Sequence, residues 1–126
     1  YQGSGVVEQG VIVHALGAET SDGDSEAASL DAGAGTTSGG AGYLQVTALT
    51  LGGYDDVTIT ILDSDDDTTF VELIAFTDVS AAPDAERVEV AGAVGRYIAA
   101  SWEFNGTGSS PSITFMAGFH REPDPA

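Results

Sequence analysis

The sequence lacks cysteine and lysine, and it has no long apolar segment. Without cysteine the chain forms no disulfide and offers no thiol for catalysis or metal binding, and cysteine usage gives no sign of a redox compartment. No apolar run approaches the roughly 18 residues of a membrane-spanning helix, and no secretory signal peptide is visible. The 126 residues correspond to one domain. Because the chain opens at Tyr1 rather than at a methionine, we expect it to be part of a longer or processed protein.

Positive charge is scarce in this chain. Three arginines stand against 20 acidic residues, which gives a formal net charge of −17. Such a surface repels phosphate, so counterion release cannot drive binding to nucleic acid. Adhesion to an anionic membrane surface is excluded for the same reason. We therefore expect neither a nucleic-acid partner nor membrane insertion.

The combination of many acids with no lysine is typical of proteins adapted to molar salt. The screening length falls from about 8 Å at physiological ionic strength to about 3 Å at 1 M, so salt relieves the self-repulsion of a highly charged chain. A halophilic source is the favoured interpretation. The alternative is an ordinary acidic protein that its charge keeps soluble.

Catalytic signatures are also missing. The sequence has no G-x-S-x-G, no P-loop and no G-x-G-x-x-G followed by a helix. Twenty acids offer many pairs of the kind that glycosidases use, but one tryptophan and four tyrosines leave few aromatic residues to line a sugar cleft. We expect the protein not to be an enzyme.

What the sequence does contain is a series of short segments with a period of two. They are rich in β-branched residues, and turn residues separate them. With a short apolar run at 11–16, they predict an all-β protein, an antiparallel β-sandwich or jelly roll of about seven to eight strands. The segments after residue 42 lie at 43–51, 57–62, 70–76, 87–90, 96–104 and 113–119.

The same pattern predicts how the chain is organised. We expect a leader or linker at 1–10, the β-sandwich domain at 11–121 and a frayed tail at 122–126. Residues 17–42 are rich in Gly, Ser, Ala, Asp and Thr. We expect them to form a solvated loop over the sandwich, although loops of this length are often functional or mobile.

The last two predicted strands supply the largest core residues. Trp102 and Phe104 alternate on one side of the first, and Phe115 and Phe119 on one side of the second. Asn105-Gly106 between the two strands is a strong hairpin signal.

Asn105 also begins the glycosylation sequon Asn105-Gly106-Thr107. Such short sequons are frequent by chance, and the turn already explains the Asn-Gly pair. Asn105 is therefore a candidate for glycosylation only if the protein is exposed outside a cell that glycosylates.

Alternate carboxylates at Asp63, Asp65 and Asp67 resemble the start of a calcium loop, because hard oxygen ligands suit Ca²⁺. The remainder of that loop is absent: the sixth position holds Thr68 instead of Gly, and the twelfth holds Ile74 instead of Glu. The favoured interpretation is a hairpin turn in which Asp side chains accept hydrogen bonds from nearby backbone amides. Ca²⁺ or another cation remains the alternative, and no other cofactor is expected.

Arg87 and Arg96 each open a predicted strand, with Glu86 and Glu89 close by in the sequence. We expect them to form structural ion pairs that fix a strand end or a subunit contact.

The two histidines, His14 and His120, lie on the first and last predicted strands. A paired-histidine metal site would require these strands to be neighbours. The expectation is an ordinary buried or edge histidine with a routine hydrogen bond.

Nine short segments occur in a fixed order along the chain. They are GVIVHALGAET at 10–20, GAGYLQVTA at 40–48, VTI at 57–59, DSDD at 63–66, LIAFT at 73–77, ERV at 86–88, GAVGRY at 92–97, SW at 101–102 and ITFMAGF at 113–119. This series resembles the C-terminal β-sandwich domain of tail-tube or head-decoration proteins of long-tailed double-stranded DNA viruses. The resemblance spans roughly residues 10–121 and carries no catalytic motif. The acidity departs from most bacterial-virus examples and points to a virus of a halophilic host.

The resemblance implies a virion structural protein, present in many copies that symmetry relates, with itself and other virion proteins as partners. The expected location is the outside of a viral tail tube. One alternative is a capsid decoration or turret protein. A carbohydrate- or receptor-binding module is a different alternative, because jelly rolls host many functions; Tyr54 is then a candidate glycan contact.

Overall fold

The computed structural model describes residues 10–122, and in this part of the chain nine antiparallel strands form two sheets. The predicted all-β sandwich is therefore confirmed. The predicted leader at 1–10 and tail at 122–126 lie almost wholly outside the described residues. The strands are β1 (Val11–Glu19), β2 (Gly23–Asp24), β3 (Leu30–Asp31), β4 (Gly40–Thr50), β5 (Asp56–Ser64), β6 (Val71–Ala75), β7 (Asp84–Val90), β8 (Tyr97–Asn105) and β9 (Ser112–Arg121), with one 3₁₀ turn at Glu26–Ala28.

The strand order is that of a jelly roll. The first sheet has the order β1-β9-β4-β7, and the second has the order β2-β8-β5-β6 with β3 also paired to β8. β2 and β3 follow one another along the same edge of β8, where Gly23 lies opposite Trp102 and Leu30 opposite Ile98. Taken as one interrupted strand, they give eight strands in two sheets of four, which is the jelly-roll form of the sandwich.

The core lies between the sheets and is built from alternate residues of the long strands. In β5, Val57, Ile59 and Ile61 are fully buried, because a period of two places them on one side of the strand. The buried aromatic side chains include all four that the sequence predicts for the core. They are Phe76, Trp102, Phe104, Phe115 and Phe119.

The segment at 17–42 is more ordered than the solvated loop that we expected. Half of its residues are exposed, but its backbone runs along the edge of β8. The Phe104 N–H donates to Asp22 Oδ1 at 2.7 Å, and the Ala100 N–H donates to Ser25 Oγ at 2.9 Å. The segment therefore closes an edge that would otherwise present unpaired backbone groups to solvent.

Asn105-Gly106 forms a turn, but the predicted hairpin is wrong. Gly106 adopts a φ of 94°, which suits glycine. However, β8 and β9 belong to different sheets. β8 pairs with β5 on one side and with β2 and β3 on the other, so β9 has no free edge of β8 to pair with. The turn instead carries the chain from one sheet to the other.

Candidate functional site

The acidic run after β5 folds as a local hairpin turn. Asp66 Oδ1 accepts hydrogen bonds from the Thr68 and Thr69 N–H groups, at 3.0 and 2.9 Å, and lies 2.9 Å from Ser64 Oγ. The bonds from Thr69 and Thr68, followed by that from Ser64, lower the pKa of Asp66 because they stabilise its carboxylate. This carboxylate is engaged by its own loop.

Two of the three aspartates of the candidate cation site accept hydrogen bonds from other loops. Asp63 Oδ2 accepts the Gly95 N–H at 2.7 Å, and Asp67 accepts the Ser29 hydroxyl. Within residues 10–122 no group of three or more His, Cys, Asp or Glu side chains could hold a metal ion. The geometry therefore does not support a Ca²⁺ site at Asp63, Asp65 and Asp67. Asp63 and Asp67 instead link the β5–β6 hairpin to neighbouring loops.

Arg96 binds a residue that is distant in the sequence. Its Nε and Nη2 donate to the two carboxylate oxygens of Asp31 at 2.6 and 2.9 Å. Arg96, and after it the Gly33 N–H, lowers the pKa of Asp31 to about 2. The sequence pointed only to Glu86 and Glu89 as acids near an arginine. The actual ion pair ties β3 to the residue that precedes β8.

Arg87 lies in the middle of β7 rather than at its start. Its Nη1 donates to Glu89 Oε2 at 2.6 Å, and its guanidinium carbon lies 5.6 Å from the centre of the Tyr43 ring. It therefore lies on the outer face of the first sheet beside an aromatic ring. The positive charge of Arg87 is paired there with the carboxylate of Glu89.

The sequence analysis did not assign a role to the third arginine, Arg121. Its guanidinium donates to Thr36 Oγ1 and to the carbonyl oxygens of Val94 and Gly95, at 2.9, 3.2 and 2.7 Å. It thereby connects the end of β9 to two loops. The sequence could have pointed to this role, because the chain has only three arginines among 20 acidic residues, and each of them is expected to form polar contacts.

The two histidines lie on neighbouring strands but not in one site. β1 does pair with β9. His14, opposite Ala117, points into the core, whereas His120 follows the buried Phe119 and has the opposite orientation. His120 Nε2 lies 2.9 Å from Glu122 Oε2. No two-histidine metal site results.

His14 is part of a buried aromatic cluster. Its ring stacks on Phe115 with 3.9 Å between ring centres and meets the Trp102 ring edge-on at 5.0 Å. Its Nδ1 lies 3.2 Å from the Phe115 carbonyl oxygen, and its Nε2 lies 2.7 Å from Glu19 Oε2. The cluster fixes β1 against the core.

The glycosylation candidate Asn105 uses its amide nitrogen within the fold. Nδ2 donates to Asp56 Oδ1 at 2.6 Å and to Thr58 Oγ1 at 2.7 Å. Attachment of a glycan replaces one of the two Nδ2 hydrogens, so it would have to displace at least one of these contacts.

An open cleft of about 630 Å³ lies at the end of the sandwich where β8 ends. Tyr54 lines it, with its ring 5.7 Å from that of Phe104. Asp22, Glu103 and Asn105 add carboxylate and amide groups. An aromatic surface beside a few polar groups can orient a small ligand.

The outer face of the first sheet differs from the rest of the surface in its charge. β4 and β9, which form the centre of this sheet, contain no acidic residue over 11 and 10 residues. We call this surface the acid-poor face and define it by two rows of outward side chains. The first row is Ile12, Gly118, Tyr43 and Arg87, and the second contains Met116, Gln45 and Ala85. Leu16 extends the second row, because it lies in the irregular stretch of β1 between His14, opposite Ala117, and Gly17, opposite Phe115, which brackets Met116.

The acid-poor face has both apolar exposure and a shallow depression. Ile12 is 54% exposed and Leu16 is 60% exposed. A depression of about 460 Å³ lies between β4, β7 and β9. The residues that line it are Tyr43, Leu44, Gln45, Ala85, Glu86, Arg87 and Met116. In a chain with a net charge of −17, a surface with exposed apolar side chains and few acids is the one best suited to contact with another protein.

Within residues 10–122 no helix is long and apolar enough to cross a membrane. Comparison with protein-family models, with curated proteins and with solved structures finds no match to this chain. Its function has to be argued from the chemistry of its own surface.

Proposed function

We propose that this chain is a non-catalytic structural module of a viral particle, exposed on the outside of a tail tube, and that it contacts another subunit through its acid-poor face. The resemblance of its segments to tail-tube and decoration proteins supports the viral assignment. The observation that carries the proposal is the distribution of charge: β4 and β9, which form the centre of the first sheet, contain no acidic residue.

The acid-poor face is better suited to burial between subunits than an acid-rich surface is. Removing a charged group from water costs free energy unless the group is paired. Interface centres are accordingly depleted of charge and enriched in Tyr, Met and Arg. The acid-poor face offers Tyr43, Met116 and Arg87, and Arg87 is already paired with Glu89.

The remaining surface suits exposure on a particle. Its carboxylates repel the like charge of neighbouring particles and of nucleic acid. The same repulsion disfavours contacts between two acid-rich surfaces and so limits the orientations in which subunits can pair.

Immunogold electron microscopy of particles purified from the source tests the location. Antibodies raised against this chain should label the tails, and antibodies pre-absorbed with the pure chain should label nothing. Labelling of heads would replace the tail location with the decoration or turret alternative. Particles without label would overturn the viral role.

A second candidate function, the binding of carbohydrate, rests on the cleft beside Tyr54. Tyr54 gives an aromatic surface, and Asp22 and Glu103 give hydrogen-bond acceptors for hydroxyl groups. A glycan array should then show a ligand whose binding Tyr54→Ala reduces. Tyr97→Ala, at the other end of β8, is the matched control and should retain binding. An array without any bound sugar would remove this candidate.

A further inference from the structure

The acid-poor face combines large protruding side chains with a small residue in each of its two rows. Paired residues of neighbouring strands form these rows, and Leu16 lies in an irregular stretch of β1 beside the second row. Large apolar side chains protrude on β1, at Ile12 and Leu16. Small residues lie further across each row, at Gly118 on β9 and Ala85 on β7.

We propose that two copies of this chain pack acid-poor face against acid-poor face, about a two-fold axis that runs along the strands between β9 and β4. The inference rests on the proposed assembly role and names the partner as a second copy. Stacked sheets pack about 10 Å apart with their strands within about 30° of one another. The rotation places β1 over the partner's β7 and β9 over the partner's β4, because the strand order is β1-β9-β4-β7.

This rotation matches a large side chain to a small one at two of the four contacts. Leu16 meets the partner's Ala85, and Tyr43 meets the partner's Gly118, where the absence of a side chain leaves room for a ring. At the other two contacts, Met116 meets the partner's Gln45 and Ile12 meets the partner's Arg87. Each contact occurs twice, as an isologous interface requires.

The size of the face is adequate for a specific contact. Four strands spaced about 4.8 Å apart, each about nine residues long, cover roughly 20 Å by 30 Å. This approaches the roughly 800 Å² per partner of a standard interface.

Charge selects this pairing over other contacts between copies. Two chains of −17 repel one another through any acid-rich surface. Of the nine strands within residues 10–122, only β4 and β9, which form the centre of the first sheet, contain no acidic residue. Pairing through the exposed edge of β1 is less favourable, because two register shifts, on either side of His14, interrupt the strand.

Sedimentation equilibrium in molar KCl, where charge is screened, tests the pairing directly. The wild type should form a concentration-dependent dimer, and Leu16→Asp should raise its dissociation constant by at least about tenfold. Val71→Asp is the matched control, since Val71 is 58% exposed on β6 of the other sheet. It should leave the dissociation constant unchanged. Circular dichroism melting confirms that both variants fold.

A second pair of variants tests the orientation without adding charge. Ala85→Leu should weaken the dimer, because two leucines would then compete for one space. Leu16→Ala combined with Ala85→Leu should restore it, since the large and small residues have exchanged places. Rescue by the double variant requires these two residues to face one another across the interface.

Several results would overturn the inference. They are a monomer at every concentration, equal weakening by Leu16→Asp and Val71→Asp, or a double variant as weak as Ala85→Leu alone. A monomeric chain on labelled particles would remove the two-fold pairing and leave the proposed function intact. If the chain is absent from particles but forms a dimer with the expected variant effects, the two-fold pairing is supported and the proposed function is overturned.

Discussion

At the scale of single residues, the core depends on a few side chains that hold the two sheets together. His14 brings a polar ring into this core, where Phe115 and Trp102 contact its faces and edge. The aromatic positions were predictable, because alternation places Trp102 and Phe115 on the inner sides of their strands. The stacking of His14 on Phe115 was not, since it depends on the pairing of the first and last strands.

Phe115→Ala tests how much this aromatic cluster contributes to the stability of the fold. The substitution removes a fully buried ring that contacts His14 and Trp102. We expect a loss of about 3–5 kcal/mol in the free energy of unfolding, measured with urea. Thr114→Ala, on the outer side of the same strand, should cost less than about 1 kcal/mol. Equal losses for the two variants would contradict the role of the ring.

The ion pair between Asp31 and Arg96 makes a prediction for acid. The pKa of Asp31 is about 2 in the folded protein against an ordinary 3.8, so the pair stabilises the fold above about pH 4. That contribution is lost as the pH falls through about 2. NMR titration should therefore give a midpoint near 2 for Asp31, and Arg96→Gln should move it toward 3.8. A midpoint that Arg96→Gln leaves unchanged would rule out the pair as the cause.

At the scale of elements, the long strands were predictable and the short ones were not. β5, β8 and β9 follow from alternating or β-branched residues that face one core. β2 and β3 have only two residues each, too few to show a period. Their position depends on side chains that bind the edge of β8, such as Asp22 and Ser25, and composition alone could not show this.

Asp22→Ala tests how this edge is closed. The substitution leaves the partly buried Phe104 N–H without its acceptor, so we expect a loss of about 1–3 kcal/mol in the free energy of unfolding. Hydrogen exchange at the Phe104 amide should accelerate as well. Asp24→Ala is the control, because Asp24 accepts only from the exposed Glu26 N–H. Unchanged exchange at Phe104 in Asp22→Ala would show that the bond does not protect the edge.

At the scale of the whole molecule, the most informative feature is the surface that has few acidic residues. The sequence shows that residues 40–50 and 112–121 lack acids. It could not show that these two segments pair and form the centre of one sheet. The acid-poor face therefore emerges only when the topology is known, and the same holds for the cleft beside Tyr54.

The net charge of −17 predicts that salt stabilises the fold. Unfolding relieves repulsion among crowded carboxylates, and salt reduces that repulsion in the folded state. The urea midpoint should therefore rise steadily from 0.1 to about 2 M NaCl; urea is chosen because guanidinium is itself a salt. Leu16→Asp provides the control at high salt, because it should remain monomeric. A midpoint independent of salt would contradict a halophilic adaptation.

The interrupted strand along β8 has one more consequence. Residues 22–36 act as the domain's own donor strand. From Asp22 to Thr36 they bind along β8 and along the residues that directly precede β8. Excision of this segment would turn the second sheet into an acceptor for an added peptide, as in donor-strand complementation. A synthetic copy of residues 21–36 would then restore the sandwich in trans. The domain could thus be divided into two parts that reassemble at one chosen edge.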